Sequence, residues 1–131
     1  MATLEFNYTE TNDRCYPTIK FHIRNKDRET DIYGLIDSGA SISIFSLDVA
    51  ELLGIDIQSG KRRISTGIIG KVEIFIHELE IKIFDNWFPC KIGFSKDITT
   101  SFNLLGREDF FIRHLITFNE KDRKTIIKEV D

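Results

Sequence analysis

The chain has 131 residues, 41% hydrophobic and 30% charged, with a formal net charge of −3. That size and balance fit one soluble globular domain with a core of its own. Acidic and basic residues are intermixed, which argues against nucleic acid or an anionic membrane as the main partner; Lys61-Arg62-Arg63 and Lys121 to Lys124 read as short solvated turns.

Isoleucine dominates the apolar set and eleven Phe accompany it. Such β-branched and aromatic richness favours strands. Residues 1–16 read as an N-terminal segment and 17–131 as the domain. From Thr18 to Arg24, Ile19, Phe21 and Ile23 alternate with Lys20, His22 and Arg24, the pattern of a half-buried strand. The polar run Asn25 to Glu29 predicts a hairpin turn, and a second strand follows from about Thr30 to Ile36. Ser46 or Asp48 is placed to cap a short helix through Leu53, with Gly54 as its stop. Val72 to Ile83 alternates again, as one long strand or a pair bent at His77-Glu78. Trp87 to Phe94 is a further strand. Phe110, Phe111 and His114-Leu115 at helical spacing predict a short helix within Arg107–Leu115. Ile116–Phe118, a turn at Asn119–Lys124 and Thr125–Val130 predict a closing hairpin. Many short strands with turns between them predict an all-β barrel or sandwich with one or two short helices.

Cys15 and Cys90 sit in no CxxC pair, and His22, His77 and His114 lack metal-ligand spacing. Neither a disulfide framework nor a metal is expected, and no cofactor is implied. The N-terminus lacks a basic region followed by an apolar stretch, and no apolar run is long enough to span a bilayer. A cytoplasmic, reducing environment is therefore the expectation.

The stretch that carries chemistry is Gly34-Leu35-Ile36-Asp37-Ser38-Gly39-Ala40-Ser41, an apolar strand running into Asp-Ser-Gly-Ala. Asp, Ser and Gly form ordinary turns as well, so the tripeptide alone is weak. Its company strengthens it. A hairpin lies upstream, a Gly-flanked hairpin candidate at Ser65 to Gly70 lies downstream, and Asn103-Leu104-Leu105-Gly106-Arg107 follows. This order resembles the retropepsin-like aspartic peptidases over about Pro17 to Val130.

The resemblance implies a retropepsin-like barrel and an aspartic endopeptidase. Asp37 would be the catalytic carboxylate, supported by Ser38, Gly39 and Ala40. Gly39 would let backbone N–H groups approach the carboxylate, and the Ser38 hydroxyl would bond across a two-fold axis. Gly67, Ile68, Ile69 and Gly70 would form a flap over an extended peptide or protein substrate. Leu104, Leu105 and Gly106 would thread beneath the catalytic loop as core packing. The family's Arg at the position of Arg107 pairs with an Asp that is Ser41 here, a departure that removes one salt bridge. Only one Asp-Ser-Gly is present, so the second carboxylate would come from a C2 homodimer, with the closing hairpin as part of its interface.

Two other readings are consistent with the residues. One is a catalytically inactive retropepsin-fold module for peptide binding or dimerisation. The other is a hydrolase with Ser38 or Ser41 as nucleophile, for which no G-x-S-x-G elbow is present.

Overall fold

Strand-forming residues yield strands almost throughout the computed structural model, which describes residues 2–67, 70–98 and 102–130. In chain order, β1 is Thr3–Asn7, β2 Thr9–Thr11, β3 Arg14–Tyr16, β4 Thr18–Asn25 and β5 Arg28–Ile36. Then come β6 (Ser43–Ile44), α1 (Leu47–Leu52), β7 (Lys61–Gly67), β8 (Gly70–Lys82) and β9 (Trp87–Phe94). β10 (Asn103–Leu105), β11 (His114–Asn119) and β12 (Lys124–Glu129) complete the chain.

β4 and β5 pair antiparallel from Thr18↔Leu35 to Asn25↔Arg28, so the expected hairpin turns at Lys26-Asp27, with Lys26 at φ 56°. Every second residue of β4 is buried, with Ile19 and Ile23 fully enclosed. α1 begins after Ser46 and ends at Gly54, whose φ of 65° suits glycine. Ser46 occupies the cap position without donating or accepting a side-chain cap bond.

The main sheet runs β4-β5-β10-β6-β9-β8-β7, and a further β4–β8 pairing closes it into a barrel. β8 is one continuous strand, and His77-Glu78 marks a change of partner, not a bend. Its residues Gly70 to Ile76 pair with β7, whereas Glu80 to Lys82 pair with β4. The β7–β8 hairpin therefore projects from the barrel wall. Inside lie Phe21, Phe45, Phe94, Phe110, Ile81, Ile92 and Leu105, all essentially solvent-free. The architecture is all-β with one short α-helix. Among the described residues no helix is long and apolar enough to cross a membrane.

Two elements differ from the sequence expectation. The helix predicted within Arg107–Leu115 is only a 3-10 turn at Phe111–Arg113, and His114 already belongs to β11. Asp109 breaks it: its φ is 64°, and its carboxylate accepts the Lys91 N–H at 2.9 Å. The other difference is the N-terminal stretch. β1 pairs with β12 from Thr3↔Lys128 to Asn7↔Lys124, forming a second sheet β1-β12-β11. Tyr8 fastens its end by donating to Glu120 Oε2 at 2.7 Å. β2 and β3 form a small hairpin whose tip, Asn12-Asp13, has φ values of 50° and 62°. Asn and Asp tolerate that conformation best among non-glycine residues.

His114 joins the second sheet to the barrel. Its ring packs against Phe84, Phe88 and Phe110, and Nδ1 donates to the Phe110 carbonyl at 2.8 Å. Burial lowers its pKa from the ordinary imidazole value, outweighing the Phe110 bond. The unfolded chain therefore binds the proton more readily than the folded one. His114 contributes stability above pH ~6.5, and that contribution is lost as pH falls. Thermal unfolding should show stability declining from pH 7 to pH 5, with a shallower slope in His114→Gln.

Candidate active site

Asp37 sits one residue beyond the end of β5, where the parallel neighbour β10 holds the chain. β10 lies between β5 and β6, with Leu104 opposite both Leu35 and Ile44. Four hydrogen bonds fasten the loop 37–41 and β6 to the segment that follows β10. The Asp37 N–H donates to the Leu105 carbonyl at 3.0 Å, and the Arg107 N–H to the Ala40 carbonyl at 2.9 Å. The Glu108 N–H donates to the Ser41 carbonyl at 2.9 Å, and the Gly106 N–H to Ser43 Oγ at 3.0 Å. The approach is so close that a Cβ on Gly106 would lie 2.6 Å from the Ile42 carbonyl and 2.8 Å from that of Ala40. Those are backbone atoms, so only glycine fits without moving the loop.

The loop turns back on its own acidic group. The Gly39 N–H donates to Asp37 Oδ1 at 2.9 Å, and the Ala40 N–H to the Asp37 carbonyl at 3.2 Å. A Cβ on Gly39 would stand 3.2 Å from Asp37 Oδ1. Asp37 is half-buried, and its Oδ2 takes no hydrogen bond from a described residue. Ser38 is exposed, and its hydroxyl has no partner among the described residues. The arrangement is a carboxylate fixed through one oxygen with the other free to meet a proton, a water or a second carboxylate.

The residues singled out in the sequence converge unevenly. Asp37, Ser38, Gly39 and Ala40 form one loop, and Leu105 and Gly106 lie beneath it, both buried. Leu104, expected as core packing, is instead half-buried: β10 alternates, so Leu105 enters the core and Leu104 faces the other way, beside Leu35. Asp37 follows Ile36, so the same alternation places it on the Leu35–Leu104 face. Arg107 contributes its backbone to the clamp, but its side chain is exposed and pairs with no described carboxylate. Gly67 and Gly70 face one another at the end of the β7–β8 pairing, with Gly70 at φ 102°. Ile68 and Ile69 lie outside the described residues.

Three contributors went unassigned in the sequence. Leu35 forms the apolar flank of the site with Leu104. Asn103 ties β5 to α1: its Nδ2 donates to the Tyr33 carbonyl and its Oδ1 accepts the Ser46 N–H, each at 2.9 Å. Ser43 is fully buried below the loop. Strand alternation would have identified Leu35, whereas Asn103 and Ser43 act through contacts that only the fold creates. Beside Ser43, the Cys90 thiol is pushed up to about 12, chiefly by burial and next by the charge of Asp109. It is an inert core residue. Among the described residues no group of three or more His, Cys, Asp or Glu is placed to hold a metal ion.

No family model and no curated protein matches this sequence. Solved structures do. A retropepsin-like aspartic protease from Rickettsia conorii superposes with a TM-score of 0.64 at 17% identity, covering 96% of this chain and 91% of that one. EIAV protease complexed with an inhibitor gives 0.54 at 24% identity, over 76% of this chain and 88% of that one. The chain has a retropepsin-like fold. At these identities the likeness concerns the fold and leaves the site to its own geometry.

That geometry makes Ser43 a measurable support. Ser43→Ala removes the acceptor of the buried Gly106 N–H and should cost about 1–3 kcal/mol in urea unfolding. Gly106→Ala, which must displace backbone, should cost at least as much, about 2–4 kcal/mol.

Proposed function

We propose that this chain is one subunit of a homodimeric aspartic endopeptidase in which Asp37 from each copy activates a water to hydrolyse peptide bonds. The observation that carries the reading is the Asp37 loop: a half-buried carboxylate held by the Gly39 N–H, with Oδ2 taking no hydrogen bond from a described residue and Ser38 exposed beside it. One chain supplies one such loop, and a two-fold axis beside it would supply the other.

Two carboxylates roughly 3 Å apart do not both ionise easily, so the pair shares one proton and titrates as a unit. In the reading proposed here, the ionised member takes a proton from water as the water oxygen attacks the scissile carbonyl carbon. The protonated member donates to the carbonyl oxygen. The tetrahedral intermediate then collapses as the leaving nitrogen takes a proton and the C–N bond breaks. The Ser38 hydroxyl would bond to the opposite loop and keep the two carboxylates in register. Leu35 and Leu104 offer an apolar wall beside Asp37 for an extended substrate.

The β7–β8 hairpin is the proposed flap, and in the sequence Ile68 and Ile69 fall between its two strands. Its base is coupled to the loop: Ile42 packs with Ile74 and Ile76 in a small cluster, with Ile44 and Val72 against it. Closure over a substrate would exclude water from the reacting groups.

One observation favours the inactive-module reading: Ser41 stands where the family carries an Asp, and Arg107 has no ion pair with a described residue. The backbone bonds from Arg107 and Glu108 hold the loop without it. Digestion of a peptide library separates the two readings. The wild type should cleave, with a rate maximum on the acid side of neutrality, and Asp37→Asn should lose activity by at least about 10³-fold while keeping its mass and fold. A contaminant-free preparation of Asp37→Asn with full activity would end the peptidase reading.

A further inference from the structure

We infer that the open groove walled by Tyr33, Phe102 and residues 7–9 takes an apolar side chain of the substrate, about four residues from the bond that is cut. The inference rests on the peptidase reading under Proposed function and gives it a determinant of substrate choice. One wall belongs to the N-terminal segment, outside the residues 17–130 over which the sequence resembles the family.

Strand alternation puts the groove on the face that carries Asp37. In β5, Ile32, Gly34 and Ile36 are buried toward the barrel, so Tyr33 and Leu35 point outward, as Asp37 does beyond them. β10 runs parallel to β5 with Leu104 beside Leu35, and the same register brings Phe102 beside Tyr33. Across β4, Thr18 stands opposite Leu35 and Lys20 opposite Tyr33. Tyr33 precedes Asp37 by four residues, roughly 13 Å at about 3.3 Å per residue. An extended peptide whose scissile carbonyl meets Asp37 covers that distance in about four residues of its own. The groove encloses about 670 Å³, within the roughly 300–1,000 Å³ usual for ligand sites. It therefore has room for a large side chain and the backbone that bears it.

The chemistry of the walls decides what enters. Tyr33 is 58% exposed, with Lys20 Nζ 6.0 Å from its ring centroid. Phe102 packs on Tyr16, with 4.8 Å between ring centroids. No described residue lining the groove is acidic or basic, in a chain that is 30% charged. Polar groups of the walls are turned to one another or to the rest of the chain. The Thr9 and Thr18 hydroxyls share a hydrogen bond, and the Asn103 amide is held by the Tyr33 carbonyl and the Ser46 N–H. Asn7 Oδ1 accepts from Lys124 Nζ at 3.1 Å, and the Tyr8 hydroxyl donates to Glu120. A charged side chain entering would lose water without meeting an opposite charge among the lining residues. An aromatic or large aliphatic one would bury its surface against the Tyr33 and Phe102 rings.

Two measurements test this. In the first, the full chain carrying Asp37→Asn is titrated by NMR with two Ser-Ala decapeptides that differ only in one central residue, Phe or Asp. The Phe peptide should shift the signals of Thr18, Tyr33 and Asn103 and bind at least about tenfold more tightly than the Asp peptide. Adding Tyr33→Ser should remove that advantage, with circular dichroism unchanged, whereas Tyr33→Phe, which keeps the ring, should preserve it. Equal binding of the two peptides, or a preference that survives Tyr33→Ser, overturns the proposal. So do the same shifts on concentrating the chain without peptide, because a second copy would then fill the groove. In the second measurement, the wild type digests a peptide library and mass spectrometry reads the residues about three to five positions from each cut. Phe, Trp and Leu should exceed Asp and Glu there at least about tenfold, and Tyr33→Ser should flatten the preference. The first measurement needs no cleavage. Phe-selective binding by a chain that cuts nothing sinks only the peptidase reading, and cleavage without the preference sinks only this one.

Discussion

The site depends on one close approach: the segment Leu105–Glu108 runs directly beneath the loop that carries Asp37. Ser38, Gly39 and Ala40 have too little side chain to pack a loop into place, so its position comes from backbone hydrogen bonds. Leu105, Arg107 and Glu108 supply these, and Gly106 adds its own to Ser43 below. The absence of a side chain at Gly106 is what lets two backbones come within contact distance. A carboxylate held in this way needs no ion pair to orient it. That explains how the loop keeps its form although Arg107 finds no carboxylate among the described residues.

The barrel makes this approach possible. β10 can pass between β5 and β6 because it is only three residues long and buries Leu105 while turning Leu104 outward. The closure of the barrel by β4–β8 leaves Gly70–Ile74 of β8 with β7 as their strand partner, β9 joining from Phe75. The result is a hairpin held by β9 from Phe75 onward and, at Glu73, by Ser95 and Asp97. Ile42, one residue from the Asp37 loop, shares a cluster with Ile74 and Ile76 of that hairpin, so the loop and the hairpin meet through side chains and not only through the sheet.

Much of this could be read from the residues because local periodicity and tertiary burial agree there. Ile19, Phe21 and Ile23 alternate and are buried, and Trp87–Phe94 is a strand along its whole expected length. The Asp37 loop and the Leu105-Gly106 support were legible because each needs a particular residue type at a particular place. The N-terminal strand was not, since Thr3–Asn7 has only Leu4 and Phe6 as an apolar face and its partner lies at the far end of the chain. The helix expected around Phe110 failed for a physical reason: Asp109 takes a left-handed conformation to accept the Lys91 N–H, and His114 is drawn into β11 beside Phe84 and Phe88. Asn103 and Ser43 left no signal, because a bridging amide and a buried hydroxyl look like any loop polar residue until their partners are known.

The proposed chemistry needs two Asp37 carboxylates acting as one unit across a subunit boundary, and subunit mixing tests that most directly. Wild-type chain is allowed to exchange with increasing amounts of Asp37→Asn at constant total concentration, and peptide cleavage is followed against the wild-type fraction. If a productive site takes one Asp37 from each chain, activity falls as the square of that fraction, to about one quarter at equal parts. A linear fall to about one half would mean that each chain cuts by itself, and the shared site would have to be abandoned.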